Sequence, residues 1–427
     1  MLTRYRADDA SLQACLEQRQ SFHVDDDTTD AVRSILNAVR ESGDAALRDL
    51  TARFDGVEMP AERLRVSASE IRGAAVSPDL LGALERAAGR IRAFHERELR
   101  NDWWQLGSEG GVLGQRYVAL DSVGIYIPGG QAPYASSLLM NAIPAALAGV
   151  RRIVAVTPPA PDGSVHPVIL AAASVCGITE IYRVGGAQAI GALAYGTKTV
   201  DPVRKIVGPG NAFVTEAKRL VFGAVGIDAL AGPSEVAIVA DDATDPRWIA
   251  ADLMAQAEHD SDAFCVLIST SERILDEVDA ELETQPQRLA RQEIIRAALS
   301  NSLSIQTRGM DDTLEIVERI APEHLQLLVD RPLEWVPRIQ SAGVVLCGPY
   351  APAPLCDYGI GPNHVLPTGG SARFASALGV DDFLRRVSVV LPSAEAFAAI
   401  QADCIRIANA ESLAAHAASL RVRGGAR

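Results

Sequence analysis

The sequence predicts an α/β protein: two Rossmann-like units with parallel sheets, flanked by small helical segments at both ends. Three observations lead there. Strand-like and helix-like stretches alternate through the middle of the chain. Several strand-like runs are apolar throughout, which suits parallel strands covered by helices on both faces. A chain of 427 residues is also long enough for more than one core. A β-α-β rhythm of this kind folds with right-handed crossovers.

In chain order, residues 1–20 read as helical and mostly strand-free. The strand candidates SVGIYI (122–127), RIVAVT (152–157), EIYRV (180–184), RKIVG (204–208) and EVAIVAD (235–241) recur roughly every 30 residues, enough for one compact Rossmann-like unit. FCVLIS (264–269) and GVVLC (343–347) continue the series. Helical stretches fall between most of them, at 136–149, 167–176, 188–195, 212–222 and 246–258. The last has Asp245 as a cap, Pro246 in its first position, and an apolar stripe of Ile249, Leu253 and Ala257. In IAPEHLQLLV (320–329), Pro322 stops a helix and a strand runs from Leu325 onwards. Residues 380–427 read as helical and mostly strand-free. Ser393 offers a cap there, and Phe397, Ile400, Cys404 and Ile407 repeat at spacings of three and four, as in an amphipathic helix.

Composition excludes several classes. The chain is 48% hydrophobic without low-complexity tracts, so it is globular. A formal net charge of −14 argues against a nucleic-acid or anionic-membrane partner. No apolar run approaches the roughly 18 residues that span a bilayer. The opening MLTRYRADDASLQACLEQRQ carries charges and no apolar signal core, which argues against export. The six cysteines are dispersed with no C-x-x-C pair, so reduced, buried thiols in a cytoplasmic protein are expected. Cys356 adjoins Asp357, but a buried structural thiol is the favoured reading there too.

The glycine-rich turns IPGG (127–130), VGGAQAI (184–190) and VGPGNAF (207–213) each follow a strand. They suit a phosphate or carboxylate held by backbone N–H groups, or simply tight βα connections. None is a full G-x-G-x-x-G: Phe213 stands where the third glycine belongs, so pattern alone does not establish a nicotinamide cofactor. Of the seven histidines, His23, His95 and His166 lie in polar or turn-like surroundings and are expected at the surface. His259, His324, His364 and His416 lie in segments rich in polar functional groups. Gln256, His259, Asp357 and His416 have side chains that suit zinc, although no spacing rule brings all four together. Gln256 and His259 are three apart on one helical face, whereas Glu258 points about 100° away from His259. Glu323 suits activation of water and His324 suits proton transfer near neutral pH. The bland alternative is a surface turn with two polar residues.

Together these segments resemble the histidinol dehydrogenase family. The matching stretches run from YIPGG near 126 through VGGAQAI, GPGNAFVTEAKR (208–219), AGPSEVAIVAD (231–241), AQAEHD (255–260), APEHLQL (321–327) and GPNHVLPT (361–368) to ESLAAHAASLRV (411–422). The resemblance covers nearly the whole chain in order. It implies zinc ligands at Gln256, His259, Asp357 and His416, one ion per site. It implies Glu323 as the base that activates water and His324 as the general acid/base of the alcohol step. Tyr126, Gln188 and Asn211 match residues that contact NAD. Ser234, His324 and Glu411 match substrate contacts, joined by the metal ligands, and His364 is a further residue on the substrate side. Pro362 departs from the family, where a small hydroxyl residue is expected; the lean AAHAASL around His416 is another departure.

The implied reaction is oxidation of L-histidinol to L-histidine through L-histidinal, with two NAD in turn. The implied assembly is a homodimer with shared active sites. The expected division is an N-terminal helical segment (1–22); a first α/β domain (23–121 with 241–379) carrying most zinc and catalytic residues; a second Rossmann-like domain (122–240) contacting NAD; and a C-terminal helical segment (380–427) reaching the partner. Two alternatives stay open: a zinc- and NAD-dependent dehydrogenase of another small polar alcohol, such as a hydroxylated sulfonate, and a non-catalytic metal-binding module.

Overall fold

The computed structural model describes residues 2–19, 24–129 and 132–424; His23, Gly130 and the end of the expected 1–22 segment lie outside them. The chain folds around two parallel sheets and one antiparallel sheet. The larger parallel sheet has six strands in the order Thr3–Arg6, Leu303–Gln306, Phe264–Ser269, Glu235–Ala240, His324–Leu328, Val344–Cys347. The smaller has five, in the order Glu180–Arg183, Arg152–Thr157, Ser122–Tyr126, Lys205–Val207, Gly226–Ile227. Their central strands are wholly buried, which explains why those runs are apolar apart from Ser122, Glu235 and Ser269 at their ends.

Helix starts follow local chemistry. Asp245 accepts a hydrogen bond from the Arg247 N–H and Pro246 opens the helix Pro246–Ala257. Asn211 caps Ala212–Val221 by accepting from the Val214 N–H, and Ser393 caps Ala394–Ala410.

Four expectations are corrected. Residues 1–20 are not strand-free, because Thr3–Arg6 pairs in parallel with Leu303–Gln306 at the sheet edge. The C-terminal segment is not strand-free either: Leu384–Pro392 pairs antiparallel along Gly111–Ala119, which also pairs with Trp103–Leu106. Glu235–Ala240 belongs to the six-stranded sheet, paired with Phe264–Ser269 and His324–Leu328, and not to the unit assigned to 122–240. The two-residue strand Gly226–Ile227 takes the fifth place in the smaller sheet.

The fourth correction concerns the N-terminal helices, assigned above with 241–379. They pack on the five-stranded sheet. Val32, Leu36 and Val39 of Asp26–Ser42 and Leu47 of Asp44–Asp55 share one core with Val154, Ile190, Leu193, Ile206 and Val214. Amphipathic helices name the face they bury but not the sheet that covers it. Leu47 is wholly buried in this shared core. Leu47→Ala is therefore expected to cost about 2–5 kcal/mol of folding stability, read by urea denaturation. A change under about 0.5 kcal/mol, the range of exposed positions, would place those helices elsewhere.

Candidate functional site

The N-terminal edge of the six-stranded sheet gathers most of the proposed catalytic and zinc residues. Glu323 precedes and His324 opens the strand His324–Leu328, and Ser234 precedes Glu235–Ala240. A crossover helix runs antiparallel to its strands, so Pro246–Ala257 ends at this same edge and delivers Gln256 and His259 there. His259 lies just past the helix, its N–H donating to the Gln256 carbonyl at 3.2 Å, so the turn persists where the helix stops. Asp357 comes from the short helix Ala353–Tyr358.

The hydrogen bonds give these groups defined roles. The Glu235 N–H donates to Glu323 Oε2 at 2.8 Å, and Gln256 Nε2 reaches the same oxygen at 3.5 Å. That contact sets the Gln256 amide: its nitrogen faces Glu323, which leaves the carbonyl oxygen free. His324 Nδ1 donates to the Glu235 carbonyl at 3.2 Å. Its Nε2 is buried without a hydrogen-bond partner, 3.6 Å from Asp357 Oδ1. The neutral ring therefore holds its proton on Nδ1 and has a free acceptor at Nε2. Burial opposes charging His324, but the carboxylates of Glu323 and Asp357 outweigh it and raise the imidazole to about 10. Burial likewise pushes the Asp357 carboxyl up, yet His324, His364 and His259 hold it below its ordinary value.

His364 joins this cluster to the smaller sheet. Its Nδ1 donates to the Asp357 carbonyl at 2.8 Å, and its Nε2 lies 3.3 Å from the Ser137 hydroxyl. Burial pulls its pKa down, so it is neutral. His95 is corrected from surface to buried: Nδ1 bonds Glu98 at 2.8 Å and Asn363, next to His364, approaches Nε2 at 3.5 Å. His166 is exposed, as expected. Cys356 is buried, and burial pushes its thiol up to about 12, so it is unreactive.

Tyr126, Gln188 and Asn211 sit at the carboxyl edge of the five-stranded sheet. The strand order reverses direction between Ser122–Tyr126 and Lys205–Val207, the switch point where open α/β sheets bind ligands. Tyr126 ends the first of these strands, and its hydroxyl accepts from the Gly186 N–H at 3.1 Å. Gln188 is buried in the first turn of Gly186–Tyr195, and Asn211 starts the helix after the second strand. Gly208, at φ +109°, lies so close to Tyr126 that a Cβ would meet its carbonyl oxygen at 2.2 Å. Two helix N-termini and a turn that only glycine allows suit a dinucleotide phosphate.

Glu411 and His416 do not join this constellation within one chain. Both are exposed, and His416 belongs to Ala414–Gly424, which packs on Ala394–Ala410. Among the described residues, no three His, Cys, Asp or Glu side chains gather to hold a metal ion. Gln256, His259 and Asp357 nevertheless offer amide oxygen, imidazole and carboxylate, a donor set that fits zinc with one position to fill. Two neighbours escaped the sequence reading. Ser137 lies in an apolar helix with no motif, and Asp55 looks like an ordinary helix end before Gly56, a left-handed cap.

The model of the histidinol dehydrogenase family matches residues 17–424. The chain is 49% identical to histidinol dehydrogenase of Gluconobacter oxydans, across 92% of each chain. It is 46% identical to that of Nitrosomonas europaea, across 99% of each. The crystal structure of histidinol dehydrogenase from Elizabethkingia anophelis matches with a TM-score of 0.94 at 36% identity, covering 99% of this chain and 98% of that one.

Asp55 yields a pH prediction. Its Oδ2 is buried without a partner, burial raises the carboxyl to about 6, and its charge acts on the Tyr126 hydroxyl. The folded value lies above the unfolded one, so the group lowers stability as pH rises through about 4 to 6. The penalty is complete above that window. Asp55→Asn is expected to stabilise the protein by about 2 kcal/mol at pH 7.5, allowing for partial exposure, and by almost nothing at pH 4. Denaturation at the two pH values checks this; an equal effect at both would remove the buried charge as the cause.

Proposed function

Because the chain belongs to the histidinol dehydrogenase family, it is an NAD-dependent enzyme that oxidises L-histidinol in histidine biosynthesis, and we propose that it does so at a zinc site completed by a second copy of itself. The observation that carries this reading is the cluster of buried Glu323, His324 and Gln256 with half-buried Asp357, on which His259 acts electrostatically, and an unpartnered His324 Nε2 at its centre. Gln256, His259 and Asp357 would hold the ion from one chain and His416 from the other. Zinc, when bound, supplies Lewis-acid anchoring of the substrate's imidazole and amino nitrogens.

His324 Nε2 takes the hydroxyl proton as hydride leaves for NAD. With Asp357 committed to a cation, one of the two carboxylates that favour the charged form of His324 is withdrawn, which lowers its pKa toward the neutral form that accepts at Nε2. Glu323 takes a proton from water to hydrate the resulting aldehyde. The hydrate gives up a second hydride to a second NAD and becomes the carboxylate. Ser234, His364 and Glu411 line the substrate, while Tyr126, Gln188 and Asn211 contact NAD. Water is kept from the reacting centre by the burial of Glu323 and His324. No described helix is long and apolar enough to cross a membrane. A cytoplasmic location belongs to the same proposal, supported by six free cysteines.

The division of labour is testable. Glu323→Gln is expected to slow histidinal oxidation by about 10²–10⁴, the usual cost of losing a general base, and histidinol-to-histidinal oxidation far less. Supplying each substrate separately measures this, and equal losses would refute separate roles.

The shared site rests on the C-terminal hairpin. Only Ala408 of Ala394–Ala410 and Ala417 of Ala414–Gly424 are buried, whereas Ile400, Ile407 and Val422 are 56%, 59% and 70% exposed. Inactive His259→Ala and His416→Ala chains, unfolded and refolded together, are expected to recover activity. In a heterodimer one site collects both lesions and the other none. Verified heterodimers without activity would mean that each chain builds its own site.

A further inference from the structure

A buried ion pair lies behind the turn that carries Asn211. Lys218 and Asp228 are ion-paired, with side-chain exposures of 2% and 5%. Both reach the same residue: Gly208 donates its N–H to Asp228 Oδ2 at 2.7 Å, and its carbonyl accepts from Lys218 Nζ at 3.1 Å. The peptide groups on either side of Gly208 are therefore fixed by opposite charges. This glycine has the left-handed φ of +109° and packs on the Tyr126 carbonyl. Lys218 stands two helical turns beyond Asn211 on one face of Ala212–Val221, and extends back beneath the turn.

Stability does not account for the arrangement. Desolvating both charges costs about as much as their attraction returns, and an apolar pair of similar volume is often as stable. What apolar side chains lack is a donor and an acceptor for the Gly208 backbone. Asp228 also begins the connection that runs to Ser234, and Thr215 of the same helix donates to the Ala231 carbonyl at 3.1 Å.

We propose that Lys218 and Asp228 are positioning residues that preorganise the Gly208–Asn211 turn for NAD. The proposal rests on the assignment of the cofactor to Tyr126, Gln188 and Asn211. With the pair intact, binding does not have to order this turn, and affinity gains accordingly.

The test uses the full-length, zinc-loaded enzyme with Lys218→Met, Asp228→Ala and the double variant Lys218→Met/Asp228→Leu. NADH binding is followed by its fluorescence, stability by thermal melting, and turnover by both KM values and kcat. Each single change is expected to weaken NADH binding and raise the KM for NAD by about tenfold or more, with kcat at saturating NAD and the KM for histidinol within about threefold. The single variants melt earlier because one charge is left unpaired. The double variant regains the melting temperature but not the affinity for NADH. Wild-type NADH binding in the double variant, or equal rises in both KM values, would overturn the proposal. Asn211→Ser, which keeps the helix cap, separates the two levels. If it binds NADH as the wild type does, the cofactor assignment fails and the proposal falls with it. If it weakens binding while the Lys218 and Asp228 variants do not, only the positioning role falls.

Discussion

The hydrogen bond from the Glu235 N–H to the Glu323 carboxylate ties together the starts of two neighbouring strands of the larger sheet, Glu235–Ala240 and His324–Leu328. The rest of the site depends on that bond. It holds the carboxylate against the sheet edge, where Gln256 reaches the same oxygen. The carbonyl of Glu235 holds the ring of His324 and directs its Nε2 toward Asp357. One backbone residue thus sets both the position of the Glu323 carboxylate and the tautomer of His324. Backbone groups of a buried strand are rigid, which gives two side chains a fixed separation without a dedicated support.

The two parallel sheets contribute opposite edges. The smaller offers the carboxyl ends of its strands, the usual place for a ligand in an open α/β sheet. The larger offers its N-terminal edge, because the Glu323–His324 cluster there is built from residues at strand starts and from the end of a crossover helix. His364 spans the gap, bonded to Asp357 on one side and to Ser137 on the other.

The sequence disclosed the strands of both parallel sheets well, because a strand covered on both faces is apolar through its middle, as in FCVLIS or RIVAVT. It did not disclose which sheet each strand joins. EVAIVAD continues the spacing of the preceding four strands, yet pairs with Phe264–Ser269. Register between distant strands is set by tertiary contacts with no local trace. Edge strands were missed for a related reason: TRYR is charged and exposed, so its pattern does not distinguish it from a helix or a loop. His95 was misplaced because its partners, Glu98 and Asn363, become visible only once the loop carrying Asn363 has folded onto it. The site residues were named through motifs, and spacing alone reached only Gln256 with His259.

The first strand carries a consequence for synthesis. Thr3–Arg6 pairs with Leu303–Gln306, so its strand neighbour among the described residues follows after about 300 residues. At about 5–20 residues per second, the ribosome delivers that neighbour some 15–60 s after the strand itself has been made. For that time an unpaired strand waits in a crowded compartment, where an apolar edge would recruit other nascent chains. Arg4 and Arg6 give this segment two positive charges in four residues, the kind of protection that keeps strand edges from pairing indiscriminately. The larger sheet therefore closes late, with one edge strand waiting for a neighbour made long after it.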